Sequence, residues 1–145
     1  MRHLLAILLL SLTTAASAQS YTEPERGTEL RGDLLDSIRP HIEWLIGAPV
    51  EFVVWDLRVS GDAAFASLMA QRPGGEPIDL AKTWGAEHGH IDPEVGDGAT
   101  VQALIVKSGR TWVTVHYAIS ATDAWWYYEG FCPIWSDVIP EVCSN

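Results

Sequence analysis

Two stretches in which apolar and polar side chains alternate, each folded back at a Ser-Gly pair, commit much of this chain to antiparallel β-hairpins. Residues 100–107 alternate around Val101, Ala103 and Ile105, and Ser108-Gly109-Arg110 turns the chain. Residues 111–119 then return, with Trp112, Thr114 and His116 on one face of an ideal strand and Val113, Val115 and Tyr117 on the other. The earlier stretch, residues 50–59, is rich in β-branched and aromatic side chains. Regular alternation puts Val53, Trp55, Leu57 and Val59 on one face and Phe52, Val54, Asp56 and Arg58 on the other. Ser60-Gly61-Asp62 turns this stretch, and the alanines of residues 63–71 predict a return strand packed closely under a covering element.

That element is a helix. Leu30, Leu34, Ile38, Ile42 and Leu45 recur at helical spacing, and Leu35 and Ile46 widen the stripe. Thr28 is a suitable cap, with Glu29 in the first turn. Pro40 removes the hydrogen bond to Asp36 and crowds its carbonyl, so the helix is expected to kink or restart there. Gly47 and Pro49 end it. The expected architecture is α+β: a kinked N-terminal helix packed on a four-stranded antiparallel sheet of two hairpins. Its expected core is Leu34, Leu35, Ile38, Ile42, Val54, Phe65, Leu104, Val113 and Val115. Residues 72–98, with Pro73, Gly74, Gly75, Pro77, Pro93, Gly96 and Gly98, read as a long loop, a type that is often functional. Within it, residues 78–84 fit either a short helix or an edge strand.

The ends of the chain fix an expected compartment. Arg2 and His3 precede an apolar run over residues 4–10, and Ala16-Ser17-Ala18 fits a small-x-small cleavage site. This reads as a secretory signal peptide over 1–18, too short in its apolar part to span a bilayer. A flexible leader over 19–27 and a single domain over 28–145 would follow. The whole chain carries a formal charge of −10, and loss of Arg2 leaves 8 basic against 19 acidic groups, or −11. Such acidity disfavours nucleic acid and anionic lipid surfaces. No further stretch is apolar enough for a membrane span. Cys132 and Cys143, the two cysteines, are expected to form one disulfide in an exported protein and to pin an aromatic tail.

A helix ahead of two hairpins and an aromatic tail resembles the cystatin-like and NTF2-like architectures, in which a helix lies across a curved antiparallel sheet. More locally, LLDSIRP, GAPVEFVVWDLRVSGDAAFASLMAQRPGG and SGRTWVTVHYAISATDAWW resemble segments of small uncharacterised exported bacterial proteins. The resemblance covers roughly residues 30–126, without 82–97 and the cysteine-bearing end. It implies a fold and transfers no activity.

Three groups of residues are candidate sites. His88 and His90, with Glu87 or Asp92, are candidate metal ligands, although structural zinc ordinarily takes four. The simpler expectation is a polar loop that happens to hold two histidines. His116, with Tyr117 or Asp123, is a candidate general base, set against the commoner case of a histidine satisfied in place. Trp112, His116, Trp125 and Trp126 are the candidate ligand-binding group, within an aromatic run that continues to Tyr127, Tyr128, Phe131 and Trp135. The simpler expectation for the tail is a cover for the sheet held shut by the disulfide. No catalytic residue is assigned and no cofactor is called for, because no nucleophile elbow, zinc-protease, phosphate-loop or dinucleotide motif is present. The expected role is a non-enzymatic binding or accessory protein of the cell envelope, periplasmic or secreted, monomeric or weakly dimeric. Its partner would be an envelope protein or a small ligand. The alternatives are a small-molecule enzyme with a pocket between helix and sheet, and a metal-handling protein.

Overall fold

Leu34, Ile38, Ile42 and Leu45 form the buried stripe of α1 (Glu29–Ile46) in the computed structural model, which describes residues 20–144. The expected signal peptide lies outside the described residues. Thr28 caps α1 by accepting a hydrogen bond from the Arg31 amide, and Gly47 ends it at φ 80°. Pro40 does not restart the helix. α1 is continuous through it, consistent with a helix held by its buried face rather than by every backbone bond.

The strands β1 (Glu51–Ser60), β2 (Ala63–Gln71), β3 (Thr100–Ser108) and β4 (Thr111–Ile119) form one antiparallel sheet in sequence order. The fold is therefore α+β, with the helix on a four-stranded sheet of two hairpins. Between β2 and β3, a 3₁₀ turn over Leu80–Lys82 leads into the short helix α2 (Trp84–Glu87). This settles the helix-or-strand alternative for residues 78–84. The chain ends in a 3₁₀ turn over Glu129–Phe131, then α3 (Cys132–Trp135) and α4 (Pro140–Cys143).

Two β-bulges change which side chains share a face. In β1, Val54 pairs with Leu68 and Asp56 with Ser67, so Trp55 is the extra residue. Phe52 and Val54 consequently join Leu57 and Val59 against the helix-side core, and Arg58 lies on the other face opposite Phe65. In β4, Thr114 pairs with Ile105 and His116 with Leu104, so Val115 is extra. Trp112, Ile119 and the Thr114 hydroxyl, which bonds Ser37, lie on the helix side, while His116 packs against Phe131 and Trp135. The strict alternation expected for residues 50–59 and 111–119 is thus corrected at one position in each strand.

Both faces of the sheet are covered. On the first, α1 packs over Ala64, Ala66, Ala70, Val101, Ala103 and Ile105. The small alanines admit the helix closely, and each large aliphatic side chain buried there contributes roughly 1.5–3 kcal/mol before entropy. On the second, Ala63, Phe65 and Leu104 are covered by Trp135, Val138, Ile139 and Val142 of the tail. Phe65 and Leu104 are core residues as expected, in this second cluster. Val113 and Val115 are not core: they are 41% and 45% exposed, because they lie on an edge strand at and before the bulge, beyond the tail's reach. The stretch read as a flexible leader is tied down from residue 20 onward. Thr22 exchanges two 2.9 Å backbone bonds with Val59, and Arg31 donates to the Pro24 carbonyl.

Candidate functional site

An exposed aromatic group stands where α1 ends and α2 begins. Arg72 reaches back and donates to the carbonyls of Ile46 at 2.7 Å and Pro49 at 3.0 Å, satisfying acceptors that the helix end leaves open. Thr83 caps α2 by accepting from the Ala86 amide. Gly85 then lets α2 lie against the end of α1, since a Cβ there would stand 2.8 Å from Ile91 Cδ1 and 3.0 Å from the Leu45 carbonyl. Leu80 and Ile91 anchor the loop on either side. The result is Trp84 at 5.3 Å from Trp44 between ring centroids, with Trp44 69% exposed.

His88 and His90 join this group. Their rings stack on Trp84 at 4.3 and 5.2 Å, and His88 Nδ1 lies 2.9 Å from the Trp84 carbonyl. The structure therefore brings the two histidines to one indole. Among the described residues, no three His, Cys, Asp or Glu side chains are grouped so as to hold a metal ion.

The candidate ligand group Trp112, His116, Trp125 and Trp126 is divided between the two faces. Trp112 is buried under α1, with Lys107 Nζ 5.7 Å from its ring centroid. His116 lies on the far face, its ring 5.0 Å from Phe131 and 5.8 Å from Trp135. Trp125 and Trp126 meet edge to face at 6.1 Å, and Trp126 lies 5.7 Å from Phe65. His116 is thus close to the tail aromatics and cannot share a groove with Trp112. Tyr117, a suggested partner of His116, instead contacts His41 of α1 at 4.8 Å. Of four surface concavities of about 310–370 Å³, one beside α1 is lined by Trp112 with Asp33, Asp36, Ser37, Arg110 and Thr111, and none includes His88, His90, His116, Trp125, Trp126 or Asp123.

The tail is cross-linked to itself and hydrogen-bonded to the sheet, Trp135 Nε1 donating to the Ile105 carbonyl at 3.0 Å and Ser60 Oγ to Asp137 at 3.1 Å. The Cys132–Cys143 disulfide closes a loop with a sequence separation of 11. Arg58, on β1, donates to Asp56 at 2.8 Å, to both Glu141 carboxylate oxygens at 2.8 and 2.9 Å, and to the Val138 carbonyl at 3.0 Å. Its guanidinium also lies 4.9 Å from the Tyr21 ring centroid. Burial alone would lower the Arg58 pKa, but its hydrogen bonds to Asp56 and Glu141 outweigh this and hold it above the ordinary arginine value. This junction of leader, strand and tail was missed in sequence, where Arg58 carried no signal beyond its place in the alternation.

These features define an α+β domain with a helix on one face of an antiparallel meander and a disulfide-stapled aromatic cover on the other. Compared with known proteins, the chain matches no family model, no curated protein and no solved structure. Among the described residues, no helix is long and apolar enough to cross a membrane.

Proposed function

We propose that this chain is an exported cell-envelope protein, periplasmic or secreted, of the cystatin-like or NTF2-like type, which acts as a non-enzymatic binding domain. The observation that carries the binding role is the exposed group formed by Trp44, Trp84, His88 and His90. An indole as exposed as that of Trp44 adds little to folding, yet such rings are rigid, amphipathic anchors at binding surfaces. Export is supported by the pattern of residues 1–18 and by the intramolecular disulfide. The helix lying across an antiparallel sheet supports the architectural likeness.

The test has two parts. N-terminal sequencing of material from the exported fraction is expected to begin near Gln19. Retention of the wild-type protein on isolated envelope is then compared with that of a Trp44→Ala/Trp84→Ala variant. Loss of one anchor costs roughly 2 kcal/mol, so retention is expected to fall at least about tenfold while the melting temperature holds. Equal retention, or a full-length chain in the cytoplasm, contradicts the proposal.

A further inference from the structure

The first turns of α1 and the turn between β3 and β4 flank a concavity of about 310 Å³, at the opposite end of the helix from Trp44. Asp33, Asp36 and Ser37 line it from the helix, and Arg110, Thr111 and Trp112 from the hairpin. Asp33 and Asp36 are three residues apart and so share a face of α1. On the other wall, Ser108 pairs with Thr111, so Gly109, at φ 62°, and Arg110 make the hairpin turn. The 3.0 Å contact between the Ser37 and Thr114 hydroxyls ties the two walls together.

The two walls carry opposite charge and do not neutralise each other. Among the described residues, neither the Asp33 carboxylate nor the Arg110 guanidinium takes part in an ion pair, and Asp36 pairs with Arg39 of its own helix at 3.2 Å. Lys107 adds a second cation on the hairpin side, its Nζ 5.7 Å from the Trp112 ring centroid. Trp112 is 6% exposed, yet it lines the concavity. Its indole N–H makes no hydrogen bond among the described residues and is not sealed from solvent. A carboxylate and a guanidinium held apart across one concavity are complementary to a ligand that carries both charges.

We infer that Asp33, Asp36, Ser37, Arg110, Thr111 and Trp112 form a binding site for a small zwitterion, a free α-amino acid. An anion alone would meet Asp33 and Asp36, and a cation alone would meet Arg110 and Lys107. An α-amino acid offers its ammonium, with three donors, to the carboxylates and the Ser37 hydroxyl. Its carboxylate suits the planar guanidinium fork of Arg110, with the Thr111 hydroxyl and the Trp112 indole N–H as further donors. A volume of about 310 Å³ stands at the lower end of the range for small-molecule sites, which suits a ligand of this size. This site is independent of the Trp44–Trp84 group.

The test follows the Thr111 backbone amide by NMR as glycine, L-leucine or L-glutamine is added to the disulfide-intact protein at about pH 6, where an α-amino group is protonated. The N-acetyl derivative of each, which keeps the negative charge alone, and the amide of each, which keeps the positive charge alone, are the comparisons. A saturable shift is expected with at least one free amino acid, and binding at least about tenfold weaker for both of its blocked forms. Arg110→Gln and Asp33→Asn change exposed side chains, so each is expected to keep the melting temperature and to weaken binding about fivefold. No saturable shift with any of the three amino acids, a blocked form bound as tightly as its parent, or unchanged affinity in either variant overturns the inference.

Discussion

On one face of the sheet, a single 18-residue helix lays Leu34, Ile38 and Ile42 over a floor of small and β-branched side chains. On the other, short turns and helices place Trp135, Val138, Ile139 and Val142 over Phe65 and Leu104, and a disulfide and one arginine fasten them. The first cover is a regular element stabilised along its length by one continuous apolar contact. The second has too little regular structure to hold itself, because four-residue helices are far below the length at which helical hydrogen bonding is cooperative. The difference separates two roles. The helix-covered face carries the larger apolar cluster, and the tail-covered face carries the disulfide and the Arg58 ion pairs.

The largest expected effect breaks the first face. Leu34→Asp places an unpaired charge at a fully buried position, a loss of more than about 4 kcal/mol, and is expected to abolish the cooperative thermal transition. A native-like transition in that variant removes α1 from the centre of the fold. Arg58→Met comes next. It strands Asp56 and Glu141 and is expected to cost about 3 kcal/mol, with near-ultraviolet dichroism reduced and the far-ultraviolet spectrum largely kept. The Arg58 charge itself does not titrate in practice. A raised pKa makes its contribution fully present below the ordinary arginine value and lost only above the raised one, so moderate alkali is expected to leave the tail docked. Paired Cys132→Ser and Cys143→Ser changes are expected to cost about 2 kcal/mol and to expose the tail to protease first. The smallest effect sharpens the helix side. Ser37→Ala removes the 3.0 Å contact with Thr114 and is expected to cost about 1 kcal/mol in a denaturant titration.

The contrast between the faces also explains what the sequence made legible. The α1 stripe and both hairpins follow from periodicity, which depends only on local geometry, and the disulfide follows from two cysteines in a chain whose first residues read as an export signal. The bulges at Trp55 and Val115 carry no local mark. Each depends on how a strand matches its neighbour, and one extra residue sends every later side chain to the other face. For that reason Trp112 and His116, four apart and on one face by simple alternation, stand on opposite sides of the sheet. The Trp44–Trp84 group was hidden for a different reason. Those tryptophans are 40 residues apart, and only the close approach at Gly85 joins them. Arg58 likewise meets Glu141 across 83 residues.

Native-state hydrogen exchange, read by peptide with and without a disulfide reductant, tests the division of labour between the two faces most directly. Reduction is expected to speed exchange in residues 125–143 while α1, β2 and β3 keep their protection. Equal loss of protection in α1, or an unchanged tail, would contradict a sheet whose helix-covered face holds the fold while its other cover depends on a staple.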